Sequence, residues 1–335
     1  MNHPRRYDVL CVGEALIDLL PSVIGPLESV PTFVRHAGGA PANVAIGVAR
    51  LGGRCAFAGT VGDDPFGRFL QQYLAQEGVD VSNVHAVEGH RTGIAFVSLN
   101  DAGQPRFFSA GKGGAELALA DAHLASAPIE ECAFLCLGTY VLASPTVREA
   151  MLNVLDRARM AGVRVALDPN LRLHLWREPE VLQTLLPRLL SLSDVVKLSS
   201  DECEFVTRAT RPDEAARRVL DHGPRLAVVT AGGDGCYFAQ RSASGVQSGR
   251  VPTRAVHVTD STGAGDGFMA VLVTALATLV RHGVDWTRLA ADELIPILRA
   301  ANEAGARVCE HVGAIDGLPR SGSFGPVVVQ QVRVL

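Results

Sequence analysis

Short apolar runs recur along the chain, and each stops at a glycine or a small polar cluster. Val9 to Val12 ends in Gly13-Glu14, and Cys55 to Val61 in Gly62-Asp63-Asp64. Phe134 to Leu137 ends in Gly138, Val163 to Leu167 in Asp168-Pro169-Asn170, Val195 to Leu198 in Ser199-Ser200, and Leu226 to Val229 in Thr230-Ala231-Gly232. Runs this short, buried on both faces, are the strands of a parallel sheet. Helical segments fall between several of them: about 42–51 closed by Gly52-Gly53, 66–77, 144–160 closed by Gly162, and 178–190. The alternation predicts an α/β fold with ligands bound past the carboxyl ends of the strands, where the polar clusters gather.

One region breaks the alternation. Thr92 to Leu99 and Arg106 to Ser109 have strand character and flank the turn Asn100-Asp101-Ala102-Gly103, a hairpin pattern. With the segment from Asp18 to Arg35 they predict a small separate sheet, spanning about 14–37 and 91–110.

The chain of 335 residues has room for one large domain. A net charge of −4, with no dense Lys/Arg run, gives no footing for nucleic acid. Seven scattered cysteines lack zinc-ligand spacing and read as reduced thiols of a cytoplasmic protein. The N-terminal apolar run is broken by Glu14 and Asp18, so it is not read as a signal peptide, and the apolar run from Phe268 to Val280 is too short to span a bilayer.

That run follows Thr259-Asp260-Ser261-Thr262-Gly263-Ala264-Gly265-Asp266-Gly267. A glycine turn opening a helix gathers unpaired N–H groups at the positive end of the helix dipole, where phosphate binds. Asp266 inside such a turn would repel phosphate unless it takes part in the chemistry. An isolated Gly-Ala-Gly-Asp is equally an ordinary helix start with a first-turn acid, so the rest of the chain has to decide.

Taken in order, GEALIDLLP at 13–21, GGAPANVAIGVARLGG at 38–53, VGDDPFGRFL at 61–70, DPNLRLHLW at 168–176, VVKLSSDECEFVT at 195–207, VTAGGDG at 229–235 and DSTGAGDGF at 260–268 resemble the PfkB-type carbohydrate kinases of the ribokinase-like superfamily, bacterial fructokinases above all. The resemblance implies a ribokinase-like three-layer α/β/α domain over 1–335, with a mainly parallel central sheet and a small β-sheet lid. It implies an ATP-dependent sugar kinase with Mg²⁺ and a K⁺ site, acting on D-fructose to give fructose 6-phosphate. A 2-keto-3-deoxygluconate kinase, another sugar or nucleoside kinase, and a catalytically silent sugar-binding regulator are the alternatives. An aromatic content of 5% offers few residues to sandwich a purine, against a nucleoside substrate.

Residue by residue, the resemblance makes Asp266 the base for the attacking hydroxyl, kept ionised by the helix dipole. Gly263, Ala264 and Gly265 become the anion hole. Asp18, Gly38, Gly39 and Asn43 match sugar-binding positions, with Arg172 a further substrate contact. Lys197, Glu202, Thr230, Gly232, Gly235 and Asn302 fall on the nucleotide side, Glu202 organising water around Mg²⁺. Asp260, Thr262 and Gly313 match a monovalent-cation site, and Gly317 replaces a serine found in some members. After the hairpin the chain departs from the fructokinase pattern: the expected arginine is missing, with Lys112 or Arg106 as substitutes, and Glu116 replaces an aspartate. The lid implies a homodimer formed through paired lids, with no nucleic-acid or membrane partner.

Overall fold

A computed structural model describes residues 5–111, 113–242 and 245–323. Its strands are β1 Tyr7–Val12, β2 Leu16–Pro21, β3 Phe33–Gly38, β4 Cys55–Gly62, β5 Asp80–Val87, β6 Ile94–Leu99, β7 Pro105–Ser109, β8 Cys132–Leu137, β9 Arg164–Leu167, β10 Val195–Ser199, β11 Leu226–Thr230, β12 Cys236–Ser242 and β13 Gly245–Val251. A nine-stranded sheet runs β13-β12-β11-β10-β9-β8-β1-β4-β5. All its pairings are parallel except β11–β12 and β12–β13.

Every residue of β1, β4 and β8 is buried, which is why these segments read as unbroken apolar runs. Two hydrophobic clusters lie on opposite faces of the sheet. One packs the helices Ala40–Arg50, Ala264–Arg281 and Ala291–Cys309; the other packs Pro145–Met160, Pro179–Ser191 and Pro212–Asp221. The fold is therefore three-layered, helix on sheet on helix.

Two stretches differ from the sequence reading. Asp80–Val87 form β5, which the apolar runs do not reveal, and β12 and β13 add an antiparallel hairpin at the other edge. Both are edge additions whose alternating polar residues, as in β13 (GVQSGRV), leave no continuous apolar signal. The helix expected from Phe268 starts at Ala264 and runs 18 residues to Arg281. By length and composition it is sufficient to cross a membrane, but 67% of it is buried within the fold, where it serves as a core helix.

The small sheet has the order β3-β2-β6-β7, with β2 and β6 parallel and the other pairs antiparallel. Register places Asp18, Ala95 and Ser109 in one row, on the face toward the main domain, where all three line a cavity. Leu19, Phe96 and Phe108 form a row on the opposite face, and Phe33 packs edge-on against Phe96 at 5.0 Å. Phe108 is 62% exposed there. Arg106 shares that outer face, turned away from the cavity. Lys112 lies outside the described residues.

Candidate active site

The carboxyl ends of β1, β9, β10 and β11 open onto two adjoining cavities. The first, of 260 Å³, lies under the small sheet and is lined by Glu14, Asp18, Asn43, Arg172, Lys197 and Asp266. The second, of 610 Å³, is lined by Gly232, Gly235, Val256, Phe268, Asn302 and Ala306. They share Thr230, Ser261 and Gly265 as a common wall. Thus residues from 14 to 306 converge on one place, and the shared wall is the glycine turn.

Gly263 caps the helix in the left-handed region, φ 78°, and a Cβ there would sit 2.3 Å from that of Ala314. Only glycine meets both demands. The first-turn amides of Gly265 and Asp266 have no acceptor within the helix, by the geometry of any α-helix start. A Cβ on Gly265 would fall 2.5 Å from Lys197 Nζ, so this glycine admits the ammonium group to the turn. Lys197 is buried and donates to Asp168 Oδ2 at 2.7 Å. Burial disfavours its charged form, yet Asp168, Glu202 and Asp266 together hold its pKa above the ordinary lysine value. Asp168 is itself raised to about 6, by burial first and against the pull of Lys197.

Asp266 is buried and accepts a hydrogen bond from Asn43 Nδ2 at 2.8 Å. Its pKa is raised by burial, which outweighs the Asn43 bond and the fields of Lys197 and Arg172. Removal of water disfavours the charged carboxylate, so the upward shift makes Asp266 more basic than the dipole-held acid expected from the sequence. A carboxylate with a raised pKa is the better base.

Asp18 is raised to about 7, by burial and then by Asp266. A Cβ on Gly38 would lie 2.1 Å from Asp18 Oδ2, and one on Gly39, at φ 100°, would lie 2.4 Å from the Glu14 carbonyl. Both glycines are thus required by close approach to the acid-bearing strand β2 and the turn before it. Arg172 donates to Asn170 Oδ1 at 2.7 Å, and its guanidinium lies 5.4 Å from the Phe107 ring centroid. Asn170 adopts φ 45°, an unusual backbone state that aims this loop into the cavity.

Glu202 accepts from Leu171 N at 2.6 Å and from Ser199 N at 2.8 Å. It ties the Arg172 loop to the end of β10. Asn302 Nδ2 donates to the Val251 carbonyl at 2.8 Å and fixes the wall of the second cavity. Asp260, fully buried, accepts from Thr262 N and Gly313 N, each at 2.8 Å. Thr262 Oγ1 is buried without a partner. An anionic carboxylate beside an orphaned hydroxyl fits a monovalent cation. At Gly317 a Cβ would come within 2.5 Å of Val308 Cα, so this backbone leaves no room for a serine there.

Two residues of consequence were not singled out for these roles. Glu14 lines the first cavity, is 4% exposed, and accepts from Ala40 N at 3.2 Å while its Oε2 has no partner. Burial raises it to about 8. The available signal was the same one that marks Asp18: an acid embedded in apolar residues. Glu116 is buried, accepts from Gly114 N at 2.8 Å and from the Tyr140 hydroxyl at 3.3 Å, and lies against Gly93. It pins both ends of the segment that carries β6 and β7.

Against known proteins, the profile described as pfkB family carbohydrate kinase matches residues 6–321. A fructokinase of Klebsiella pneumoniae is 38% identical over 309 residues, covering 92% of this chain and 95% of its own. Fructokinase-1 of Oryza sativa subsp. japonica is 37% identical over 317 residues, covering 94% and 95%. A fructokinase double mutant from Vibrio cholerae O395, solved in fructose, ADP and potassium ion bound form, superposes with a TM-score of 0.83 at 32% identity, covering 99% of this chain and all of that one. With a matching profile over nearly its whole length and relatives above 30% identity across more than nine-tenths of it, this chain belongs to the pfkB family of carbohydrate kinases.

Proposed function

We propose that the protein transfers the γ-phosphate of ATP to D-fructose, giving fructose 6-phosphate. The observation that carries this reading is the shared wall. A cavity of fixed carboxylates and a glycine-lined groove meet at Gly265, one residue before Asp266. The fructokinases of similar sequence and the fructose-bound structure at 32% identity point to the ketohexose.

In this reading the sugar occupies the first cavity. Asp18 takes two of its hydroxyls, with Gly38, Gly39 and Asn43 shaping the floor. Asp266, oriented by Asn43, accepts the proton of the attacking hydroxyl. The nucleotide lies along Thr230, Gly232, Gly235 and Asn302, with its terminal phosphate against the amides of the Gly263-Ala264-Gly265 turn. Lys197 and Arg172 add positive charge where negative charge develops, the main requirement of phosphoryl transfer. Mg²⁺ supplies charge neutralisation on the phosphates. Among the described residues no group of three or more His, Cys, Asp or Glu is placed to hold a metal directly; Glu202 would act on a nucleotide-borne Mg²⁺ through water. Asp260 and Thr262, with Gly313 alongside, would hold K⁺, which when bound would supply fixed positive charge to the turn.

The small sheet acts as a lid that excludes water from the sugar. Its outer row of Leu19, Phe96 and Phe108 supports a homodimer through paired lids. A cytoplasmic location is supported by seven free cysteines, six of them buried.

Arg172 in the first cavity supports a second reading, a 2-keto-3-deoxygluconate kinase whose substrate carboxylate meets that guanidinium. An ADP-release assay over fructose, tagatose, ribose, 2-keto-3-deoxygluconate and nucleosides, with and without potassium, separates the two. The proposal expects the highest kcat/KM on fructose. Activity on the keto acid alone would replace it with the second reading.

A further inference from the structure

The amino ends of the strands, opposite the catalytic edge, carry a cavity of their own. It measures 630 Å³, larger than the 260 Å³ chamber under the small sheet. Arg5, Arg54, Arg164 and Arg281 line it, against only Asp8 and Asp285, a formal charge of +2. Arg54 and Arg281 both spend themselves on Asp8, at 3.1 and 2.9 Å. Arg5 donates four bonds to backbone carbonyls, of Glu130, Cys132, Ala161 and Gly162, none of which neutralises its charge.

Arg164 is the unusual member. It opens β9 and is half-buried. Among the described residues it makes no hydrogen bond and no ion pair. Burial and the neighbouring Arg5 both pull its pKa below the ordinary arginine value, opposed by Asp194 and Asp285. Asp194, however, is committed to Val165 N at 2.8 Å, and Asp285 to Thr287 and Arg288. A half-desolvated cation beside another cation is a cost with no counterpart in the free chain.

We propose that this cavity is a second, non-catalytic anion site for a small phosphorylated molecule. The charge of +2 matches a phosphate monoester dianion. Guanidinium groups brought in on β9, on the chain leading into β1 and β4, and on the end of a helix approach from several sides, which suits a tetrahedral phosphate better than a planar carboxylate. The volume exceeds what a bare ion needs and falls in the range of small-molecule pockets. The cavity also touches the catalytic machinery through one rigid element. Arg281, Gly283 and Val284 lie at the far end of the helix whose first turn holds Asp266. At about 1.5 Å per residue its 18 residues separate the two sites by about 27 Å.

The test is calorimetric titration of the full chain with inorganic pyrophosphate, with fructose and a non-hydrolysable ATP analogue saturating both catalytic cavities. The proposal expects one pyrophosphate bound per chain. Arg164→Ala and Arg164→Gln weaken it at least tenfold while kcat without pyrophosphate stays within twofold of wild type. In phosphate-free buffer both variants keep or raise Tm, because an unpaired cation is removed, and pyrophosphate raises Tm of the wild type only. Equal affinity in the variants, no binding once the catalytic cavities are full, or a lowered Tm with unchanged binding overturns the proposal. Citrate binding as tightly as pyrophosphate overturns the assignment to phosphate.

Discussion

The two adjoining cavities at the carboxyl ends of the strands are built by opposite means. The first is walled by ionisable side chains: buried Glu14, Asp18, Asp266 and Lys197, with half-buried Arg172. The second is walled by glycines, small apolar residues and backbone, with Asn302 as its fixed polar anchor. The first therefore carries specificity, because each buried charge accepts a partner in one place only and penalises a substrate that leaves it unpaired. The second, with few fixed charges, places fewer such demands on what it holds. The difference also explains the pKa pattern. Glu14 and Asp18 are raised to about 8 and about 7, and Asp266 is raised too, so the first cavity stores electrostatic cost that a bound sugar relieves.

Substitutions on either side of the shared wall test this contrast. The largest effect is expected at the wall itself. Asp266→Asn should lower kcat by about a thousandfold, within the range for a lost general base, with fructose affinity measured by calorimetry nearly unchanged. A parallel loss of binding would move Asp266 from catalysis to recognition.

Next in size is a pH effect confined to the first cavity. An acid whose folded pKa lies above its unfolded value stabilises the fold fully only below the unfolded value, and that contribution is lost as pH rises through the folded one. Glu14 moves from 4.5 to about 8. Stability of the unliganded protein should therefore fall as pH rises between these limits, by at most about 1.4 kcal/mol per pH unit from this one group. Urea melts of wild type and Glu14→Gln at pH 5 and 8 check this; an equal slope in both removes Glu14 as its source.

Gly38→Ala pushes a methyl group into Asp18 Oδ2, 2.1 Å from the Cβ position. Loss of a charged hydrogen bond, worth about 1.5–3 kcal/mol, should raise KM for fructose at least tenfold and leave KM for ATP alone. Steady-state kinetics with each substrate varied shows whether the two cavities separate in this way. The smallest effect belongs to the second cavity. Asn302→Ala removes its bond to the Val251 carbonyl, worth about 1 kcal/mol, and a longer one to the Pro252 carbonyl at 3.4 Å, so KM for ATP should rise about fivefold with the fructose KM unchanged. A larger shift in the fructose KM would mean that the cavities are not independent.

The same contrast separates what the sequence discloses from what it hides. The central strands were legible because burial on both faces writes a continuous apolar run, as in β1 and β8. The glycine turn and Asp18 were legible because each places a residue type where local packing has no use for it. β5 and β13 were hidden, since edge strands half-exposed to solvent carry a mixed pattern. Also hidden was the bond from Asn43 to Asp266, which joins residues 223 positions apart. Sequence marks Asn43 as a polar residue near a ligand. Only the folded arrangement shows it donating to the Asp266 carboxylate. Glu116 was noticed as a departure from the fructokinase pattern, yet its function as a clasp on Gly93, Gly114 and Tyr140 depends on three separate segments meeting.

The central claim is that a sugar hydroxyl and a terminal phosphate meet across the Gly263–Asp266 turn. A crystal structure with fructose and a non-hydrolysable ATP analogue tests it most directly. The account predicts the C6 hydroxyl within about 2.6–3.2 Å of the Asp266 carboxylate, with the terminal phosphate against the amides of the turn and beside Lys197. Fructose bound with that hydroxyl turned from Asp266, or a nucleotide whose terminal phosphate lies away from Gly265, would contradict it.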